Sequence, residues 1–253
     1  MSEIVTAGIL VIGDEILSGR TKDKNIGFIA EYLTNIGIDL KEVRVVADDE
    51  DAIIYALDSL RQRYTYVFTT GGIGPTHDDI TADGVAAAFG VALHEHPEIM
   101  AMLHARWGED VNAARRRMAR VPEGGVLVKN PVQGPPGFQI GNVFVLAGVP
   151  QIMRGMLEDI GWRLKGGAVV ISRNVRVEGA GEGVIAEPLE RVAKANPDLS
   201  LGSYPFYTAD GYGSNLVIRG RDAAVVEAVV EELVASLKAA GIERVFIPDE
   251  RAA

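Results

Sequence analysis

The chain has 253 residues, a formal net charge of −10 and no cysteine. The lack of cysteine excludes disulfides, a thiolate nucleophile and any Cys-ligated zinc or iron–sulfur site. A pI near 5.0 argues against a dedicated nucleic-acid-binding protein, which needs a basic surface. We find no apolar run long enough to cross a membrane and no basic N-terminal segment typical of a secretory signal, so we expect a cytoplasmic protein.

Strand and helix patterns alternate over the first 70 residues. Short apolar or β-branched runs predict strands at Ala7–Ile12, Glu42–Ala47 and Tyr64–Thr70. Between them, helical spacing of apolar residues predicts two helices, marked by Ile26, Ile29, Leu33 and Ile36 and by Ile54, Leu57 and Leu60. The resulting β-α-β-α-β order predicts a mostly parallel sheet with right-handed crossovers.

The middle of the chain continues this α/β pattern. Helices are predicted at Thr81–Phe89, within His96–Arg120 with a break at Gly108, and at Gln151–Ile160. A strand is predicted at Asn142–Ala147. The segment Lys129–Gly141, rich in Pro and Gly, is predicted to be a loop.

A second, smaller α/β domain is predicted after Lys165. Beyond this point the pattern is β-α-β-β-α-β, the order of a split βαβ unit. We therefore divide the chain into residues 1–165 and 166–253. The aromatic residues of the second part are expected first in its core, and otherwise at an interface or cleft wall: Tyr204, Phe206, Tyr207 and Tyr212.

Glycines and carboxylates follow the strands of the first domain. In an open parallel sheet, ligands bind beyond the carboxyl ends of the strands. The first strand is followed by Gly13, Asp14, Glu15, Ser18 and Asn25, the second by Asp48 and Asp49, the third by the string GGIGPTHDD from Gly71 to Asp79, and the later strand by Gly148 and Pro150. This concentration at one predicted edge indicates a ligand site.

The string GGIGPTHDD is typical of an anion-binding loop. Glycines let backbone N–H groups approach phosphate oxygens, and a helix beginning near Asp79 would direct its positive dipole end to the same place. The alternative is a plain strand-to-helix turn with Thr76 or Asp78 as the N-cap. The string is neither a Walker A loop nor the dinucleotide fingerprint G-x-G-x-x-G.

The acids predict a divalent cation. Phosphate oxygens beside Asp14, Asp48, Asp49, Asp78 and Asp79 would be repelled unless Mg²⁺, Mn²⁺ or Co²⁺ bridges them. His77 could contact phosphate or act as an acid or base. The basic run Arg115–Arg117 with Arg120 is expected to be a solvated helix face, with the lip of an anion site or a subunit surface as alternatives.

Several of these strings together resemble one known family. GDEILSG, DDEDAI, TTGGIGPTHDDIT, NPVQGPPGF and LAGVP are similar, in this order, to CinA proteins, whose N-terminal module is a molybdopterin-binding domain of the MoaB/Mog type. The form GGIGPTHDD is closest to the corresponding module of eukaryotic FAD synthetases. The resemblance covers roughly residues 4–160, and GAGEGVIAEPL resembles the small domain that follows in CinA.

The resemblance implies a three-layer α/β/α fold, a nucleotide or pterin ligand, and metal-dependent pyrophosphatase activity on ADP-ribose or FAD. The expected metal ligands are Asp14, Glu15, Asp48, Asp78 and Asp79. The expected catalytic residues are Asp79, Asp78, His77 and Asp49. The expected substrate-binding residues are Gly13, Gly71, Gly72, Gly74, Thr76, Ser18, Asn25, Gly148 and Pro150.

The family resemblance leaves two other functions open. One is molybdopterin binding or transfer without hydrolysis, and the other is a non-catalytic assembly module. A monovalent cation such as K⁺ is a further candidate cofactor, and a homo-oligomer, either a dimer or a trimer, is expected. Lys24 and Gly183 depart from the family pattern, which leaves the substrate undetermined.

Overall fold

The computed structural model describes residues 4–132, 134–209 and 211–248. The chain forms two compact units, and the boundary falls after Ala168, three residues beyond the predicted one. None of the helices in the described ranges has both the length and the apolar character that a membrane span requires.

The first unit alternates strands and helices through most of its length. Its strands are β1 (Val5–Ile12), β2 (Ile38–Val46), β3 (Tyr66–Thr70), β4 (Leu93–Glu95), β5 (Arg120–Pro122), β6 (Val126–Val128), β7 (Gly137–Ile140) and β8 (Val143–Leu146). Its helices are α1 (Asp14–Leu17), α2 (Asn25–Asn35), α3 (Glu50–Arg63), α4 (Thr81–Phe89), α5 (Pro97–Trp107), α6 (Ala113–Arg117) and α7 (Pro150–Asp159), with 3₁₀ turns at Gly108–Asp110 and Gly161–Arg163.

The main sheet has the order β2-β1-β3-β8-β7-β6. β1 pairs in parallel with β2 and β3, and β3 pairs in parallel with β8. β7 and β6 extend the sheet in antiparallel fashion. The predicted, mostly parallel sheet is confirmed, and the carboxyl ends of β2, β1, β3 and β8 meet at one edge.

Helices cover both faces of this sheet. Alternate residues of β1 pack into two separate cores because successive side chains of a strand point to opposite faces. One core contains Ala7, Ile9 and Val11 with residues of α2 and α7 such as Ile29, Leu33, Met153 and Met156. The other contains Leu10 and Ile12 with residues of α3, α4 and α5 such as Leu57, Val85 and Ile99. The fold is therefore the predicted three-layer α/β/α arrangement.

The prediction that Lys129–Gly141 is entirely a loop is wrong. β7 occupies its last residues and forms an antiparallel hairpin with β8. Gly137 is the first residue of this strand. A Cβ at this position would lie 2.1 Å from the carbonyl oxygen of Val145, so close packing requires glycine here, although in the sequence this glycine is typical of a loop. The short β4–β5 pair was also not predicted, since strands of three residues are too short to show a period.

The second unit is a four-stranded antiparallel sheet with two helices. Its elements are β9 (Ile171–Glu178), α8 (Glu182–Ala195), β10 (Ser200–Thr208), β11 (Gly211–Gly220), α9 (Ala223–Ala239) and β12 (Val245–Phe246). The sheet order is β10-β11-β9-β12, as in a split βαβ unit. Its core joins apolar residues of the sheet to those of both helices, for example Val175, Leu216, Ile185 and Leu233.

The first expectation for the aromatic residues of this unit is wrong. Tyr204 and Tyr212 are exposed, and Tyr207 keeps 84% of its surface accessible. Phe206 is partly buried, with its ring centroid 3.8 Å from the Arg176 guanidinium, and is not among the core residues either. β10 lies at the edge of the sheet, which leaves such side chains open to solvent.

Candidate functional site

The strand order brings the predicted site residues to one edge of the main sheet. β1 lies between β2 and β3, so Asp14, which follows β1, lies between Asp48 on one side and the loop after β3 on the other. We call Asp14, Glu15 and Asp48 the acidic strand ends, and residues 71–79 the glycine loop. Gly148, after β8, completes the row beyond the glycine loop.

The acidic strand ends are tied together. The Asp48 carboxylate accepts a hydrogen bond over 2.9 Å from the backbone N–H of Asp14. Partial burial raises the pKa of Asp48, and the negative charges of Asp14, Glu15 and Asp78 raise it further against the lowering effect of this hydrogen bond. Carboxylates from two strand ends and from the glycine loop therefore share one electrostatic environment.

Close backbone packing fixes the start of the glycine loop. Gly71 has φ +104°, and a Cβ there would lie 2.1 Å from the carbonyl oxygen of Ile12, so only glycine fits between β3 and β1. The Thr81 hydroxyl donates to the Gly71 carbonyl over 2.9 Å, and the Thr81 N–H donates to the Gly72 carbonyl over 3.1 Å. Thr81 is buried, so the loop returns to the sheet at the first residue of α4.

Asp79 holds the glycine loop closed. Its carboxylate accepts a hydrogen bond from the Thr76 N–H over 2.8 Å and a second, very short one from the Thr76 hydroxyl. A Cβ on Gly74 would lie 2.6 Å from an Asp79 oxygen, which explains the third glycine of the string. The Asp78 carboxyl is exposed.

The helix after the glycine loop has the predicted bounds, Thr81–Phe89, and no described side chain caps its N-terminus. The start near Asp79 that the anion-loop interpretation assumed lies two residues too early. The alternative in which Thr76 or Asp78 is the N-cap is therefore wrong. The physical reason is that Asp79 bonds backward to Thr76, which makes an extra turn between the loop and the helix.

Asn25 connects the first strand end to the last. It is buried at the start of α2, and its Nδ2 donates to the Gly148 carbonyl over 2.8 Å. Asp23 caps this end of α2 by accepting from the N–H groups of Asn25 and Ile26. Asn25 Oδ1 is buried and has no hydrogen-bond partner among the described residues. Asn25 thus positions the edge of the site.

Four other predicted site residues are exposed or make local contacts. His77 is exposed over 96% of its side chain, 3.9 Å from Asp78. Asp49 is the N-cap of α3 and accepts from the Ala52 N–H, so its carboxylate is engaged there. The Ser18 hydroxyl donates to the Glu15 carbonyl, and Pro150 is the first residue of α7.

Two arginines of the basic run lie beside the glycine loop, a position that the sequence alone did not determine. A small cavity lies against the glycine loop, and its lining includes Gly72, Gly74, Asp79, Arg117, Arg120 and Phe138. The arginines belong to the run for which a solvated helix face was the first expectation. Arg117 and Arg120 lie next to the glycine loop, which agrees with the alternative expectation that the run borders an anion site. The density of arginines in the run was the feature of the sequence that pointed to this alternative.

The acidic strand ends suit a hard cation in their chemistry but do not form a complete metal cage. Within the described ranges, no three Asp, Glu or His side chains come close enough together to bind a metal ion. Mg²⁺ commonly takes one or two protein carboxylates and completes its shell with water and phosphate. The negative charges of Asp14, Glu15 and Asp78 repel the ionised Asp48 carboxylate, and such an ion would neutralise part of this charge.

Comparison with known proteins places the chain in a family. The family described as "Probable molybdopterin binding domain" matches residues 8–165, and "FAD synthase, middle domain" matches residues 169–245. The first unit, with its glycine loop, thus belongs to the family described as a probable molybdopterin binding domain. Within that class, the chain belongs to the CinA-like family.

Individual relatives support this assignment. A protein of Archaeoglobus fulgidus is 34% identical over 224 residues, covering 88% of this chain and 94% of its own length. A CinA-like protein of Gemmatimonas aurantiaca is 33% identical over 212 residues, and the chain spans about half of that relative's length. The crystal structure of CinA from Thermoplasma acidophilum, 33% identical, covers 63% of this chain and 98% of its own, with a TM-score of 0.60.

Proposed function

We propose that this chain is a divalent-metal-dependent hydrolase that splits the pyrophosphate bond of a ligand such as ADP-ribose or FAD. The observation that carries the proposal is the row of strand ends at the carboxyl edge of the sheet. There, the acidic strand ends lie next to a glycine loop that closes on its own aspartate. Such a row offers anion-binding backbone beside uncompensated carboxylates, which is the combination that metal-assisted phosphate chemistry needs.

Asp14 and Asp48, at the ends of two neighbouring strands, are the residues proposed to hold the ion, with water and the phosphate oxygens completing its shell. The charge of Asp14 acts directly on Asp48. When bound, a divalent ion supplies charge neutralisation and Lewis acidity at the phosphate oxygens. Because the pKa of Asp48 is raised, protons compete with the metal ion for this carboxylate at low pH. Binding of the ion should therefore strengthen as the pH rises.

The glycine loop and the N-terminus of α4 are proposed to bind the diphosphate. Backbone N–H groups at a helix N-terminus carry partial positive charge, and no described side chain caps the N-terminus of α4. Asp79, held by Thr76, is proposed to orient the attacking water and accept its proton. Water adds to one phosphorus and the bridging oxygen leaves with the other phosphate, giving AMP and either ribose 5-phosphate or FMN.

A second cavity offers room for a heteroaromatic ring. It has a volume of about 410 Å³, and its lining includes Met102, Leu103, Trp107 and Pro135. Pro136, the residue after Pro135, lines the cavity at the glycine loop, so the two cavities are neighbours along one segment. Trp107 emission in Trp162→Phe protein should therefore change on addition of FMN or AMP, and an unchanged spectrum would remove this cavity from the proposal.

Molybdopterin binding without hydrolysis is a second candidate. It rests on the matched description of residues 8–165 and would use the same glycine loop. FAD, as a hydrolysis substrate, is favoured by the match of residues 169–245 to the FAD synthase middle domain. Pterin fluorescence in protein purified under reducing conditions would support the binding candidate.

Product analysis separates these candidates. Purified protein is incubated with ADP-ribose, FAD, NAD and ATP, each with Mg²⁺, Mn²⁺ or Co²⁺, and the products are resolved by chromatography. The proposal predicts AMP from ADP-ribose or FAD that disappears on chelation with EDTA. Absence of AMP in every combination, together with bound pterin, would replace hydrolysis by molybdopterin binding.

A further inference from the structure

The arginines around α6 have different environments, and two of them are clearly engaged. The Arg115 guanidinium lies 5.0 Å from the Trp107 ring centroid and donates to the carbonyl of Asp110. The Arg116 guanidinium donates twice to the carboxylate of Glu95, over 2.8 and 2.6 Å. These two side chains therefore stabilise the local fold.

Arg120 and Arg117 both line the cavity at the glycine loop, but only Arg120 is paired there. Its guanidinium forms a two-bond ion pair with Asp83 at 2.6 and 2.7 Å, with both side chains partly buried. The Arg117 side chain is half-buried and has no ion-pair or hydrogen-bond partner within the described part of the chain. Arg117 thus brings to the cavity a guanidinium that forms no ion pair with a described carboxylate.

The groups around Arg117 are those of an anion site. The cavity also contains the backbone of Gly72 and Gly74, where the absence of side chains leaves N–H groups approachable. The carboxylate in the lining, Asp79, already accepts two hydrogen bonds from Thr76, which disperse its charge. The cavity has a volume of only about 20 Å³, which excludes a nucleoside and admits at most a phosphoryl oxygen.

We propose that the Arg117 guanidinium binds oxygens of the ligand's diphosphate and so positions it against the glycine loop. A guanidinium donates two parallel N–H bonds to a phosphoryl group, and a partly buried cation gains from an anionic partner. The proposal rests on the proposed function for the identity of the ligand, but its chemistry requires only a phosphate group. It gives the site a basic side at Arg117 and an acidic side at the strand ends.

The test compares Arg117→Gln with Arg116→Gln. Both variants remove one positive charge from α6, but only the first removes it from the cavity. Binding of inorganic pyrophosphate is measured by isothermal titration with and without Mn²⁺, and circular dichroism checks the fold. Arg117→Gln should weaken binding about 10- to 100-fold, whereas Arg116→Gln should change it less than about 3-fold. Arg117→Lys should restore part of the affinity.

Kinetics separate this proposal from the proposed function. With ADP-ribose, Arg117→Gln should raise KM with little change in kcat, because it removes binding shared by ground and transition states. Hydrolysis by the wild type together with equal KM and equal pyrophosphate affinity in Arg117→Gln would overturn the role of Arg117 alone. Arg117-dependent pyrophosphate binding without AMP release would overturn the proposed function alone. If wild-type protein does not bind pyrophosphate, the role of Arg117 is wrong.

Discussion

The Asp48 carboxylate accepts a hydrogen bond from the Asp14 N–H over 2.9 Å and so joins the ends of two neighbouring parallel strands. Its pKa is nevertheless raised, because burial and nearby carboxylates outweigh this bond. Asp48 therefore costs stability when it is ionised. A partly buried carboxylate that costs stability in this way is a natural candidate for a binding role.

Asp48→Asn should change the pH dependence of stability. The folded state holds the Asp48 proton to higher pH than the unfolded chain, so its contribution to the free energy of unfolding falls as pH rises between the ordinary and the raised pKa. Asparagine still accepts the bond from Asp14 but does not titrate. Urea unfolding in EDTA from about pH 3.5 to 7 should show that the variant gains stability relative to the wild type as pH rises.

Asp51→Asn is the matched control for this experiment. Asp51 is exposed in the first turn of α3, and its replacement changes the net charge equally. Addition of Mn²⁺ at pH 7 should raise the melting temperature of the wild type and of Asp51→Asn more than that of Asp48→Asn. Identical pH profiles and identical responses to Mn²⁺ in the two variants would contradict the role of Asp48.

Gly71→Ala should destabilise the protein by about 2–4 kcal/mol, because the new methyl group would meet the Ile12 carbonyl at 2.1 Å in addition to the cost of φ +104°. Gly19→Ala is the control. Gly19 also has a positive φ, +71°, but no described atom would lie within 4 Å of the new Cβ, so a cost near 1 kcal/mol is expected. Equal losses in urea denaturation would show that conformation alone matters at Gly71.

Asn25→Asp should cost about 2–4 kcal/mol. The change removes the N–H that donates to the Gly148 carbonyl and places a carboxylate in a buried position. Asn35→Asp makes the same chemical change at an exposed position at the end of α2 and should cost less than about 1 kcal/mol. If chemical denaturation gives the same value for both variants, the bond between Asn25 and Gly148 does not hold the edge of the site.

Asp79→Asn should reduce turnover about 100-fold or more while leaving the melting temperature within a few degrees of wild type. The amide has no negative charge to orient water or accept its proton, yet it can still accept a bond from Thr76. Thr76→Val removes the hydroxyl donor and should lower turnover less, since the backbone N–H bond remains. A folded Asp79→Asn protein with full activity would remove Asp79 from the mechanism.

The sequence predicted the parts of the molecule that depend on local patterns. The apolar spacing of α2 and the β-branched run of β3 were enough to predict the mostly parallel sheet, and hence which strand ends meet. It could not predict β7, because Gly137 is required by a contact with Val145 that is close only in the folded chain. Long-range packing of this kind has no local signature.

The same distinction holds in the site. The motif around Asp79 was visible, but the bond from Thr76 to Asp79, which forms the turn before α4, was not. The N-cap position of Asp49 also depends on where α3 begins. The basic run at Arg117 was seen as mostly solvated, because only the fold brings it to the glycine loop.

A metal site at the acidic strand ends is tested by a time course of AMP release from ADP-ribose with Mn²⁺, using wild type, Asp48→Asn and Asp51→Asn. Wild type and Asp51→Asn should each release AMP and ribose 5-phosphate in a 1:1 ratio, and EDTA should abolish the release. Asp48→Asn should be slower by about 100-fold or more. Equal rates in all three proteins, or release that persists in EDTA, would contradict a metal-dependent site at the acidic strand ends.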